Sequence, residues 1–462
     1  MDDSLAGVVG TALRRCHHAG AGSSLIAMLR LLLLFQVFYT VYQGHYTFDT
    51  GIAGLNLPNI VFAVALIFLL ADKSRDPVQA PAILKPAILV FYIALVLAFL
   101  WAQLRAPGDL LLDVNYLRTA LFSPLLYFMY LRSKQDLVNT RWLVIAIMVV
   151  AAIAALQAVR QGLDYGIGSF VESRRASGPF GPDYRDANRA GVFYAIFLPM
   201  FIALALFLRK QKFWFLAALG GTALLTMAIL VTYSRQSYFI ALIGLGLLLV
   251  RRSLLGAIVL GSLLFGLSAF LPDSVTQRVA ETQQEGQHGE EVLDESTASR
   301  FEIWTGAAKM FVSNPIGVGL NRFKTEIGNY SRFKNFDAHN FYVLTTAEMG
   351  LQGLAALAFV LFAMFKLSAF LRRTVPPGDR EAQALAVGFT VMTVCMVLGN
   401  MYGSPFLEAN VLGLYWILCG LLERYMHLKK LESEDEDALI ERQPSVLDRY
   451  PLIARTFPGR RA

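Results

Sequence analysis

Charge is what this chain has least of. Of its 462 residues only 16% are Asp, Glu, Lys or Arg, against 56% hydrophobic, whereas a soluble domain carries about 25% charged residues. Cysteine is nearly absent as well: Cys16, Cys395 and Cys419 are the only three. None is expected on an outer face, which excludes a disulfide framework. No Cys and His cluster has zinc-ligand spacing. There is no Gly-rich P-loop, no HExxH and no GxSxG, so phosphate-loop, zinc-protease and serine-hydrolase chemistry lack their signatures. No internal repeat is evident, which counts against repeat-built transporter folds. The one acidic cluster expected on the outer face, "EEVLDE" at 290–295, reads as flexible surface.

What is present is apolar sequence in runs of about 20 residues, enough to cross roughly 30 Å of hydrocarbon. The mean hydropathy is +0.50, and the ~10-residue alternation of a barrel is missing. The chain is expected to be an all-α polytopic membrane protein of about twelve transmembrane helices. Its expected parts are an N-terminus at 1–22, helices 1–9 within 23–271 interrupted by an outer loop at 160–189, a large helical outer loop at 272–340, helices 10–12 within 341–426, and a charged, flexible tail at 427–462. The first run lacks a small-residue cleavage pattern and is followed by further runs, so it is expected to stay in the protein. Lys and Arg crowd alternate connections ("DKSR", "RSKQ", "RKQK", "RRTVPPGDR") and are sparse in the opposite ones ("QGHYTFDTG", "RAPGD", "YGSPF"). That asymmetry places both termini in the cytoplasm. The net charge of +7 is largely this topology signal and does not argue for nucleic acid.

The two long outer loops break the charge rule. Long loops tolerate such charge during insertion; arginine, favoured here, is also the side chain that forks onto phosphate. In the larger loop "STASRFEIWTGAAKMFVSNP" reads as a helix capped by Ser296 or Thr297 and closed by Pro315 and Gly317. Its expected apolar face is Phe301, Trp304, Ala308 and Phe311. Arg300 then falls in the first turn, where free N–H groups favour an anion, unless it simply pairs with Glu302. In "TYSRQS", Arg235 begins an apolar run of about 15 residues, too short to span by itself. It is expected at the outer interface, facing a cavity or snorkelling.

Of six histidines, only His339 in "AHNFYVLTTAEMGLQG" stands at a helix start beside an arginine-rich loop. Asn340 is placed to cap that helix and Asp337 to orient the imidazole, which suits a general base, although an interfacial histidine can also be purely structural. Glu348 lies roughly 13 Å deeper along the helix, either as a working carboxylate or as a clamp between helices.

Together "GPDYRDANRAGVFYAIFLP", "TYSRQS", "SRFEIWTGAAKMFVSNPIGVGLNRF" and "AHNFYVLTTAEMGLQG" resemble the O-antigen ligase and polymerase superfamily of bacterial inner membranes. The His-Asn pattern is the most specific of them, and the single large outer loop before the tenth helix looks most like the ligase branch. The resemblance implies a cofactor-free, metal-independent glycosyltransferase at the periplasmic face. Its donor would be a glycan on undecaprenyl pyrophosphate and its acceptor a sugar hydroxyl of lipid A–core. By the same pattern Arg235 and Arg300 match the family's essential arginines and His339 its histidine, and Arg185 and Arg189 add to the anion site. An O-antigen polymerase, which tends to have two comparable outer loops, and a protein O-oligosaccharyltransferase, with a larger outer C-terminal region, are the near alternatives. A lipid-linked sugar transporter would spread charge along many helices, whereas here the charges expected within them are few, among them Arg30, Lys85, Arg118 and Glu348.

Overall fold

A computed structural model describes residues 27–44, 56–166, 171–250, 283–285, 291–293 and 295–442. The expected ninth span, near 254–271, lies outside the described residues, as do His17, His18, His45 and His288.

The described residues are overwhelmingly helical: α1 (Ala27–Tyr42), α2 (Leu57–Ala71), α3 (Lys85–Arg105), α4 (Leu110–Leu131), α5 (Leu137–Tyr165), α6 (Ala187–Phe207), α7 (Lys212–Val231), α8 (Arg235–Val250), α9 (Glu295–Ser313), α10 (Phe341–Thr374), α11 (Arg380–Gly399) and α12 (Ala409–Arg442). A three-residue hairpin, Gln283–Glu285 with Glu291–Leu293, is antiparallel. Six of the helices (α3, α5, α6, α7, α10 and α11) are long and apolar enough to cross a membrane, and α1, α2 and α8 are shorter apolar helices.

Helices α6 and α11 form the centre, with 78% and 72% of their most apolar stretches buried. Small residues let their neighbours approach: a Cβ on Gly191 of α6 would meet Ser237 Oγ of α8 at 2.3 Å, and one on Gly388 of α11 would meet Met200 Sδ at 2.7 Å. Helix α12 packs on α4 and α5, and α3 on α10. Toward the far end of α12, Arg424 is fully buried, pairs with Asp76 at 2.9 Å and donates to the carbonyls of Leu131 and Gln135. Beside it, Glu423 accepts from the Tyr127 hydroxyl at 2.6 Å and from the Ile83 N–H at 2.9 Å. Such buried charges persist only when paired and hydrogen-bonded.

Helix α10 is broken at Gly350 (φ 66°, ψ −161°), and the segment Pro315–Phe323 wedges into the break. The N–H groups of Val318 and Gly319 donate to the carbonyls of Ala347 and Glu348, and that of Leu351 to Pro315. On its other side the wedge meets α3: Leu320 N–H donates to the Ala98 carbonyl at 3.0 Å, and Trp101 Nε1 to the Gly317 carbonyl at 3.0 Å. Backbone groups freed by the break are thereby satisfied inside the protein, as an apolar surrounding demands. The wedge ends in a buried ion pair, Arg322 Nη1 to Asp113 Oδ1 at 2.8 Å. The Asp113 carboxylate raises the proton affinity of the guanidinium further.

Two expectations are corrected. The loop helix α9 begins at Glu295, so Ser296 and Thr297 lie inside it and Arg300 is beyond the first four N–H groups, the ones left unsatisfied at a helix start. Its buried face is Ile303, Ala307 and Met310, while Phe301 is 53% exposed; the true face is rotated one position from the aromatic stripe. Helix α12 runs on into the charged tail as far as Arg442, and Lys430 and Glu434 pair at i,i+4, the spacing that supports an exposed helix.

Candidate functional site

The N-terminal ends of α6, α8 and α12 and the segment leading into α10 converge on one cavity of 420 Å³. Its wall includes Arg185 and Arg189 with Asp183 and Asp186, Gln236, Arg300, Asp337 and His339, and the stretch from Tyr402 to Pro405 together with Glu408. Helix starts carry partial positive charge and free N–H groups, which suits an anionic ligand.

His339 is held at this wall by its backbone. Its φ of 49° lies in the left-handed region, a conformation that persists in a non-glycine residue when the surroundings impose it. Four hydrogen bonds impose it. The Trp304 indole N–H donates to the Ala338 carbonyl at 2.8 Å, the His339 N–H donates to Asp337 Oδ1 at 3.3 Å, and Asn340 Oδ1 caps α10 by accepting from Tyr342 and Val343 at 2.9 and 3.2 Å. Asp337 thus fixes the backbone of His339, and its other oxygen pairs with Lys324 at 3.2 Å. The side chain stays exposed at the rim of the cavity, where the surrounding protein lowers the proton affinity of the imidazole; Asp337 opposes this, and Arg300 and Lys324 reinforce it. The ring therefore favours its neutral form, the one able to accept a proton.

Arg300 stands one turn before Trp304 on α9, so the same helix supplies a cavity arginine and the bond that anchors the histidine segment. Glu302 pairs with Arg332 at 2.9 Å. Arg189, in the first turn of α6, reaches two carboxylates: Asp186 at 2.8 Å and Glu408 at 2.9 Å. The turn before α6 is tight. Gly181 has φ 154°, and a Cβ there would fall 1.9 Å from Asp186 Oδ2. Behind it, buried Arg175 donates to Asn188 Oδ1 at 2.6 Å and to the Thr232 carbonyl at 2.9 Å, tying the short loop to the start of α6 and the end of α7.

Five of the residues singled out in the sequence, His339, Arg300, Arg185, Arg189 and Asp337, line this cavity. Three do not. Arg235, the first residue of α8, is half-buried and adjoins Gln236, which does line it. Asn340 is a buried cap. Glu348 is buried and accepts from the Phe323 N–H at 3.1 Å, so it clamps the wedge to α10 away from the cavity. Sequence reasoning missed Glu408 and Ser404. The only sign was a lone acid after "YGSPF" in an otherwise uncharged connection. Among the described residues, no three of His, Cys, Asp and Glu are grouped so as to hold a metal ion.

A family model described as O-antigen ligase matches residues 220–358. The matched residues include Arg235, Arg300, Asp337, His339, Asn340 and Glu348. Arg185, Arg189 and Glu408 lie outside the matched stretch. No curated protein matches the chain.

Proposed function

We propose that the protein is a membrane glycosyltransferase of the O-antigen ligase type. It transfers a glycan from undecaprenyl pyrophosphate to a sugar hydroxyl of lipid A–core at the periplasmic face of the inner membrane. The observation that carries this reading is the gathering of His339, Arg300, Arg185 and Arg189 around one cavity, with two of the four inside the O-antigen ligase match.

In this mechanism His339 takes the proton of the acceptor hydroxyl as its oxygen attacks the anomeric carbon of the donor sugar. The new carbon–oxygen bond forms as the bond to the pyrophosphate oxygen breaks. The electron pair leaves with the pyrophosphate, the proton rests on His339, and the anomeric carbon inverts. The leaving group gains charge in the transition state, where arginines already in position stabilise it most. Such a leaving group needs no general acid. Both substrates are lipid-anchored, so a site at the mouth of a helical bundle suits them. Arg235 serves the same anion from the start of α8.

The test is purified protein with the lipid-linked glycan and lipid A–core, with and without EDTA. Product formed equally in EDTA is expected. No product under either condition, with glycan movement across vesicles instead, overturns the reading in favour of a transporter; product only without EDTA overturns the metal-independent mechanism.

A further inference from the structure

The charges around the cavity do not by themselves favour an anion. The described wall holds three arginines (Arg185, Arg189 and Arg300) against four carboxylates (Asp183, Asp186, Asp337 and Glu408). A disubstituted pyrophosphate brings two further negative charges. Either a wall carboxylate must move away from the arginines, or it must lose its charge.

Glu408 is the one placed to do both. It sits in the loop before α12, rather than in the turn that also carries Arg189, and its Oε2 lies 2.9 Å from Arg189 Nε. Asp186, three residues before Arg189, takes the other side of the same guanidinium through Nη1 at 2.8 Å. Asp186 is locked into the turn, where Asp183 N–H donates to it. We propose that Glu408 is the carboxylate that Arg189 exchanges for the donor's pyrophosphate, and that it leaves the exchange protonated. Donor binding is then coupled to uptake of one proton, and the guanidinium is delivered to the pyrophosphate already oriented. The groups facing Glu408 agree. Arg189 favours its charged form, but burial comes first and pushes the carboxyl up to about 7, with Asp186 and Asp337 adding to the rise. A pyrophosphate in place of the Arg189 contact removes the main opposing influence. His339 and Arg300, on the opposite elements, complete the charged surroundings.

The inference rests on the pyrophosphate reading above. Its test is binding, without acceptor, of undecaprenyl-pyrophosphoryl hexose, whose phosphates do not titrate near neutrality. The full chain in nanodiscs is measured by calorimetry from pH 6 to 8.5 in two buffers of different protonation heat. His339 is also titratable and lines the same cavity, so the measurement is made in wild type and in His339→Ala. Both are expected to take up a proton and to lose affinity above pH 7, approaching about tenfold per pH unit. Glu408→Gln is expected to bind nearly independently of pH with no uptake, and at pH 8.5 more tightly than wild type. Asp186→Asn should keep the uptake. Binding with the same pH slope and uptake in Glu408→Gln as in wild type overturns the exchange and leaves the donor assignment standing. So does binding without proton uptake in His339→Ala, whether or not the Glu408 variant folds. No binding by any of the proteins overturns the pyrophosphate reading and the exchange together.

Discussion

His339 combines a strained backbone, a cavity-facing ring and a depressed proton affinity. Its neutral form is the base, so protonation removes activity. Because the folded protein lowers the value below the ordinary 6.5, transfer should persist below pH 6.5 and then fall as the pH drops through the lowered value. His339→Ala should reduce turnover by about 10²–10⁴-fold and abolish that acid limb, read as ligation rate at saturating donor across pH 5 to 8. A rate within a few-fold of wild type would return His339 to a structural role. Arg300→Lys keeps the charge and loses the planar fork that matches a pyrophosphate. Turnover should drop at least tenfold with expression intact; near-normal turnover would make Arg300 a general surface cation.

At the scale of elements, α9 and the wedge decide where that histidine stands. Trp304→Phe keeps the ring packing and removes only the bond to the Ala338 carbonyl. One such bond is worth about 0.5–1.5 kcal/mol in stability, yet a small displacement of a reacting group costs far more in rate. The expected signature is a fall in kcat with little change in melting temperature. A parallel loss of both would mean the bond serves folding alone. The break in α10 has the opposite signature. A Cβ on Gly350 would sit 2.3 Å from the Ile316 carbonyl carbon, at φ 66°. Gly350→Ala should therefore lower stability by about 1–3 kcal/mol from backbone strain alone, with the clash adding to it, measured as a lower melting temperature in detergent. An unchanged melting temperature would show that the wedge can withdraw without cost.

For the whole molecule, the open question is which face of the membrane the cavity serves. The proposed topology, expected from the Lys and Arg asymmetry of the short loops, has the cavity outside and both termini inside. Single cysteines introduced at exposed Lys334, on the cavity side, and at exposed Glu434, near the far end of α12, should label oppositely with an impermeant thiol reagent. Cys395 and Cys419 are fully buried and should give little background, and Cys16 is replaced by serine in both variants. Labelling of Lys334→Cys only after the inner membrane is permeabilised would invert the topology and remove the periplasmic reading.

The sequence by itself determined the helical, membrane-type architecture, the start of α10 at Asn340 and the candidacy of Arg300 and His339. These depend on hydropathy, charge and capping, which act over one turn or one span and add up along the chain. It did not determine what else surrounds the histidine. Glu408 reaches Arg189 only because α6 and α12 begin at the same cavity, and local pattern carries no information about which helix ends meet. For the same reason local pattern, which left Glu348 open between chemistry and packing, could not show its partner on the other side of the break: its carboxylate accepts from the Phe323 N–H. The apolar face of α9 was misread because aromatic spacing marks a stripe, whereas the surface it packs against selects the residues that are buried.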